Sequence, residues 1–356
     1  MTTIEWTDVT WNPTRGCRRV SPGCENCYAE RSAIRQSNAG GKVIGNGVAP
    51  QRMTKPGKYH GLVVNNGHGP RWTGVSAFDP VKLAEPLSWK APQCVFVDSM
   101  SDLFYEGFSF EQIAAVFGVM WACPQHTFQI LTKRPGRALA FFAWLGHATG
   151  MNLADNQPVT MATDPLTSCQ IQAGKHVNLG PYKLGERPSA WTLPNVWIGV
   201  SVEDQQRADE RVPLLQQIPA VVHFLSMEPL LSNVELDADW LLPRCKACGR
   251  HSPRGKCCEY EPDCTGGTVH SNQQQPALVD WVIVGGESGP RARVCDAAWI
   301  NDIVLQCKAA GVACFVKQLG SNAHSYGLPL PLEHPKGGDM SEWHPSLQVR
   351  QMPEDA

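Results

Sequence analysis

Cys17, Cys24 and Cys27 crowd into one stretch, Trp11-Asn12-Pro13-Thr14-Arg15-Gly16-Cys17 through Cys24-Glu25-Asn26-Cys27-Tyr28. Three thiolates on one loop can each hold an iron of a [4Fe–4S] cluster, which prefers soft sulfur ligands. With no fourth ligand nearby, one iron stays open to a bound molecule. Three cysteines joined by a later cysteine or histidine could equally close a structural zinc site. Spacing alone leaves both readings standing.

A second cysteine group lies far downstream. Cys245-Lys246-Ala247-Cys248 is followed by Cys257-Cys258 and by Cys264. Four of these five thiolates would close a tetrahedral zinc site, with His251 and His270 as spare ligands. The surrounding stretch, 244–275, carries too few apolar residues for a core of its own, so a metal would supply its folding energy. An auxiliary iron–sulfur cluster is the alternative occupant. Cys94, Cys123, Cys169, Cys295, Cys307 and Cys314 sit in apolar contexts and read as small buried hydrophobes.

The wider composition bounds these readings. At 356 residues and 42% hydrophobic, the chain can bury a large core, which excludes a disordered protein. Its fourteen cysteines are clustered rather than spread as a secreted disulfide framework. The start, Met-Thr-Thr-Ile-Glu-Trp-Thr, resembles no secretory leader, and no apolar run is long enough for a membrane span. The expected compartment is a reducing cytoplasm, with no membrane partner. A net charge of −2 gives no overall field for nucleic acid, so a nucleic-acid role needs a local basic patch.

Elements that could position the cysteines recur along the chain. Short apolar runs end in polar residues: Cys94–Val97 before Asp98-Ser99, Thr127–Leu131 before Thr132-Lys133-Arg134, and Val196–Val200 before Ser201 and Glu203. Val221–Leu225 precedes Ser226 and Glu228, Trp281–Val284 precedes Gly285-Gly286-Glu287, and Ala313–Val316 precedes Lys317. Runs of this kind read as buried parallel strands. Helical stretches lie between them at Phe110–Trp121, Arg137–Leu145, Asp204–Gln217 and Ala297–Ala310. Ser109 with Gln112 forms a capping box, Asp296 an N-cap and Gly311 a stop. With Asp8–Trp11 as a first strand, seven strands alternate with helices. The expected fold is α/β, a full or partial (β/α) barrel of parallel strands with a small metal-binding insertion. The barrel would span 1–243 and 276–320, the insertion 244–275 and a C-terminal tail 321–356. Gln36–Thr73 and Gly146–Thr192 read as irregular insertions. In such a barrel the polar strand ends share one face with the cysteine loop.

The Cys-x2-Cys-Tyr-Ala ending resembles the cluster loop of spore-photoproduct-lyase-like members of the radical S-adenosylmethionine superfamily. Six segments resemble more closely an uncharacterised phage-and-bacterial family with a three-cysteine motif. These are Thr10–Cys17, Ser21–Cys24, Phe96–Phe104, Leu131–Pro135, Glu228–Leu231 and Val284–Gly289. That likeness implies a fold and a cofactor rather than a substrate.

The superfamily likeness implies a [4Fe–4S] cluster on Cys17, Cys24 and Cys27, with S-adenosylmethionine on the open iron. It also implies reduction by an electron donor such as flavodoxin or ferredoxin, and a 5′-deoxyadenosyl radical that abstracts hydrogen. Tyr28, Asp98, Ser99, Ser201 and Glu203 become candidates to position the cofactor. Lys133, Arg134, Glu228 and Lys317 are candidates to meet an anionic substrate. The chain departs from the superfamily pattern in two ways. The first cysteine gap holds six residues rather than three. The superfamily's Gly-Gly-Glu, which holds the methionine amine, follows the second strand; here Gly285-Gly286-Glu287 follows a late strand and Asp98-Ser99 stands at the second-strand end, so either set could take that role. Arg15, Arg18, Arg19, Lys133, Arg134, Arg291, Arg293 and Lys317 would gather at the mouth and favour a nucleotide or nucleic-acid substrate. Two other classes compete: a zinc-binding, nucleic-acid-associated protein without catalysis, and a cluster-independent hydrolase or lyase using Glu203, Glu228 and Glu287 as acid and base.

Overall fold

A computed structural model describes residues 4–37, 57–149, 165–179, 192–243 and 278–353. The expected zinc ligands Cys245, Cys248, Cys257, Cys258 and Cys264 lie outside the described residues. Seven parallel strands form one sheet: β1 (Val9–Trp11), β2 (Cys94–Val97), β3 (Thr127–Thr132), β4 (Val196–Ser201), β5 (Val222–Met227), β6 (Trp281–Gly285) and β7 (Ala313–Gln318). They stand in sequence order from edge to edge. A doubly wound sheet would reverse direction from its middle, so this order is the barrel kind.

The main helices are α1 (Tyr28–Ser37), α2 (Phe110–Ala122), α3 (Pro135–Thr149), α4 (Pro165–Gly174), α5 (Gln205–Leu215) and α6 (Ala297–Ala310). Their starts follow from local chemistry. Ser109 and Gln112 form the expected reciprocal capping box on α2, while Asp204 and Asp296 accept backbone N–H groups at the starts of α5 and α6. Gly311 ends α6 in the left-handed conformation at φ 68°.

Alternation along the strands splits the core in two. Val95, Val97, Ile130, Ile198, Val200, Val282 and Val284 join the apolar faces of the helices. Phe96, Trp197, Phe224, Trp281, Ile283 and Phe315 point the other way, onto Trp6. The Trp6 ring lies 4.7 Å from Phe96 of β2 and 6.1 Å from Trp281 of β6. In a flat sheet those strands would stand ~19 Å apart, four strand spacings. One indole reaching both requires the sheet to curl around it, as a half-barrel with an aromatic plug.

Among the described residues the half-barrel does not close by strand pairing: no ladder joins β1 to β7. Part of the expected C-terminal tail runs along the free edge of β7 instead. Val316 N–H donates to Val349 O at 2.8 Å, and Gln351 N–H to Cys314 O at 2.8 Å. Arg350 lies over the rings of Phe315 and Trp343. The segment satisfies an edge that would otherwise stay open to pairing.

Two stretches read as irregular hold structure. Within Gln36–Thr73, Val63–Asn65 pairs antiparallel with Pro70–Trp72 across a Gly-rich turn. Within Gly146–Thr192, α4 packs against α2, where Gly118 leaves room for the Cys169 carbonyl. The scattered cysteines are buried as expected, apart from Cys94, which is half-buried.

Candidate active site at the strand ends

The segment Asn12–Cys27 lies across the C-terminal edge of the sheet, and side chains from four strand ends grip it. At the end of β2, Asp98 is 4% exposed and takes φ 57°. Its carboxyl meets Thr14 N–H at 3.2 Å and Thr14 Oγ1 at 2.8 Å. Thr14 Oγ1 is 3.0 Å from Ser101 Oγ, which in turn donates to Gly16 O at 2.9 Å. Three hydrogen bonds thus run through two hydroxyl protons. All three are made at once only when Asp98 carries a proton. Burial pushes the same carboxyl up to about 8, against the Thr14 hydrogen bonds. Ser99 Oγ and Met100 N–H both donate to Asn12 Oδ1, at 3.2 and 2.8 Å. Gly16 sits at φ 93°, and a Cβ there would stand 2.2 Å from Val75 O, so only glycine can precede Cys17.

The end of β3 supplies Arg134. Its guanidinium pairs with Asp102 at 2.9 Å, donates to Arg18 O at 2.7 Å and lies 3.7 Å from Cys17 Sγ. Asp102 also accepts from Thr132 Oγ1 and Lys133 N–H, so one carboxylate ties the ends of β2 and β3 together.

The end of β4 supplies Glu203, which has no exposed surface. Arg211 of α5 pairs with it at 2.8 Å, Lys133 at 3.3 Å, and the Ser21 hydroxyl donates to it. A Cβ on Gly23 would stand 2.5 Å from Glu203 Oε1, so the loop presses directly on this carboxylate. Burial pushes Glu203 up, but Lys133 and Arg211 hold it below the ordinary range.

After β6, Glu287 receives Arg293 at 2.8 Å and the Asn26 amide at 3.0 Å. Arg293 reaches on to Pro22 O at 2.8 Å and to Glu25 at 3.6 Å. These hydrogen bonds outweigh burial and hold Glu287 ionised below its ordinary range. Gly285 and Gly286 meet β7 rather than open space. A Cβ on Gly286 would stand 2.1 Å from Leu319 O.

Other expected site residues fall on the same edge. Tyr28 is half exposed, and its hydroxyl donates to Ser99 O. Ser201 is buried and stands in register with Ser226 of β5. Lys317 pairs with Glu228 at 2.9 Å, beside Gly285 and apart from the contacts that hold the loop.

The expected concentration of free cations is smaller than the sequence suggests. Arg15 pairs with Asp79, Arg19 with Glu30, and Arg293 with Glu287 and Glu25, while Lys133, Arg134 and Lys317 have the acidic partners above. Of the eight, Arg18 and Arg291 have no acidic partner among the described residues. Sequence reasoning missed Thr14, Ser21, Asn26, Asp102 and Arg211 as tethers. Arg211 left a trace: it is an arginine on the α5 stripe made by Ala208, Val212 and Leu215, where a buried charge demands a buried partner.

Cys17, Cys24 and Cys27 are all free and half-buried. Among the described residues no three His, Cys, Asp or Glu side chains are close enough to share one metal ion. A tetrahedral ion would draw its thiolates to within ~4 Å of each other. A cubane cluster takes one thiolate per iron and needs them farther apart. Cys17 and Cys24 each couple electrostatically to Cys27. Desolvation and Asp102 push the Cys17 thiol up to about 12 against the pull of Arg134, and desolvation also raises Cys27. A bound cationic centre would reverse that balance and release protons. Three soft thiols on one loop are a donor set that both iron–sulfur clusters and zinc accept.

No helix among the described residues is long and apolar enough to cross a membrane. No curated protein and no solved structure matches the chain. A family model described as "Protein of unknown function (DUF5131)" matches residues 1–351, and the chain belongs to that family.

Proposed function

We propose that this protein is a radical S-adenosylmethionine-type enzyme acting on a nucleotide or nucleic-acid substrate. The observation that carries the reading is convergence. The ends of β2, β3, β4 and β6, spread over some two hundred residues of sequence, all grip the one loop that bears Cys17, Cys24 and Cys27. When bound there, a [4Fe–4S] cluster with S-adenosylmethionine would supply reductive cleavage of the sulfonium and a 5′-deoxyadenosyl radical.

The chain's own residues would prepare that site. Asp98 and Ser101 fix the approach to Cys17, Glu203 fixes Ser21 and Gly23, and Glu287 with Arg293 fixes Pro22 and Asn26. Arg134, shared with Asp102 and Glu106, brings a guanidinium to 3.7 Å from Cys17 and would offset part of the charge of a Cys17 thiolate. The half-exposed Tyr28 ring, pinned through its hydroxyl to Ser99, offers a face for an adenine. Glu228 and Lys317 form a polar pair that the loop leaves free to meet the methionine end of the cofactor or the substrate. An electron donor such as flavodoxin or ferredoxin would be the redox partner.

The carboxylate-hydrolase alternative fits less well. Glu203 is fully buried with both oxygens engaged, and cations hold both Glu203 and Glu287 in the ionised form. Neither is poised near neutral pH to trade a proton. The test is a reductive anaerobic assay with S-adenosylmethionine: 5′-deoxyadenosine should appear, and Cys24→Ala should abolish it. Hydrolytic or lyase activity that survives air and loss of all three cysteines would overturn the proposal.

A further inference from the structure

Beside the cysteine loop, two arginines from separate parts of the chain meet and a third lies against the same loop. The hairpin Val63–Trp72 packs on α1, and its turn brings Gly69 against the loop after β6. Arg291 Nη2 and Arg71 Nη1 stand 3.4 and 3.8 Å from the point where a Cβ on Gly69 would lie. Arg31 of α1 donates to Ser288 O at 3.2 Å, and its Nη2 stands 3.2 Å from the corresponding point on Gly289, two residues from Arg291. Arg31 and Arg291 have no acidic partner among the described residues. Arg71 has only Glu30 at 3.8 Å, a carboxylate already taken up by Arg19. Two guanidinium forks around one point suit an anion between them.

Two features make the arrangement specific. Arg291 is exposed and held at φ 68°, a left-handed conformation that strains a non-glycine residue. Nothing in the core explains an arginine there. The Arg291 carbonyl accepts the Asn26 amide at 3.0 Å, so the same loop that aims this guanidinium also braces the segment between Cys24 and Cys27.

We propose that Arg31, Arg71 and Arg291 form a phosphate clamp on the rim of the mouth. It would hold a phosphate of a nucleotide or nucleic-acid strand while the rest of that molecule enters beside the cysteine loop. The clamp rests on the preceding proposal for its purpose only, because binding can be read without turnover. Guanidinium forks suit phosphate oxygens, and clustered arginines make the contact salt-dependent.

The experiment is fluorescence anisotropy with the full-length protein and a labelled single strand ~12 nucleotides long. One clamped phosphate predicts a slope of log K against log salt near about −0.7. Arg71→Gln with Arg291→Gln should bind at least tenfold more weakly and flatten that slope towards zero. Arg291→Gly relieves the left-handed strain, so it should melt at a higher temperature and yet bind several-fold more weakly. A residue with no task at that position would give the gain in stability alone. Displacement of the strand by an equal phosphate concentration of a nucleoside monophosphate would assign the clamp to a free nucleotide. Resistance to displacement would assign it to a polymer. Wild-type protein that binds neither, or an Arg71→Gln/Arg291→Gln protein that binds like wild type with the same salt slope, would overturn the proposal. Those results would leave the cluster reading untouched, since neither depends on iron.

Discussion

Replacing Asp98 by Asn should stabilise the protein at neutral and alkaline pH. The carboxyl is buried, and its hydrogen-bond chain through Thr14 and Ser101 to Gly16 O is complete only with a proton on Asp98. Its pKa is pushed from 3.8 up to about 8 by burial. An acid whose pKa is raised by folding binds more protons folded than unfolded between those two values. The site is therefore neutral to stability below about pH 4, and stability is lost as pH rises from about 4 to about 8. At about 1.36 kcal/mol per pH unit, the loss is on the order of 4 kcal/mol at pH 7 as an upper bound. Solvent penetration would reduce this to about 2 kcal/mol. Asn keeps the geometry: its carbonyl accepts Thr14 N–H, its amide donates to Thr14 Oγ1, and it tolerates the φ of 57°. Urea unfolding of metal-free wild type and Asp98→Asn in parallel, from pH 4 to 9, isolates this one group. The two should coincide near pH 4 and diverge above it, with the variant more stable by about 2 kcal/mol near pH 8. A variant less stable than wild type at pH 7–8, or a difference that stays flat with pH, would refute the protonated-carboxyl reading.

Three further outcomes follow from the same contacts. Glu287→Gln weakens the hold of Arg293 and Asn26 on the loop, costing about 1–3 kcal/mol and lowering bound iron in a protein that keeps all its cysteines; thermal melting and iron analysis check both. Gly286→Ala drives a Cβ to 2.1 Å from Leu319 O and should cost about 2 kcal/mol or more in denaturant unfolding, with full cluster occupancy in the fraction that folds. Cys24→Ala should lose iron and retain the far-ultraviolet circular dichroism of the intact sheet, because the half-buried Cys24 lies in the loop rather than in the core.

The sheet was legible in the sequence because each buried parallel strand is a short apolar run that stops at polar residues. Six of the seven strands were visible as such runs, and α6 could be bounded at both ends by Asp296 and Gly311. Openness at the β1–β7 edge was not legible. It depends on how far the sheet curls around Trp6 and on residues 349–351 reaching Cys314 and Val316, neither of which leaves a local pattern. The hairpin at Val63–Trp72 was hidden by its polarity, although Asn66-Gly67 marks a turn. At the site, the cysteines and strand-end carboxylates were visible by residue type. The use made of them was not: Glu203 and Glu287 brace the cysteine loop, and most cations expected at the mouth are paired with carboxylates. The contacts that brace the loop, Ser21 with Glu203 and Asn26 with Glu287, join residues 182 and 261 positions apart, beyond the reach of any periodicity.

Elemental and spectroscopic analysis of anaerobically purified, reconstituted protein tests the central claim most directly. The account predicts about four irons and four sulfides per chain, and after reduction a paramagnetic signal whose shape changes when S-adenosylmethionine is added, since one iron is left open by three thiolates. Changing Cys17, Cys24 and Cys27 together should remove the iron and sulfide while leaving any zinc bound through Cys245–Cys264 in place. A colourless preparation carrying zinc at Cys17, Cys24 and Cys27, or a cluster whose signal ignores S-adenosylmethionine, would contradict the account.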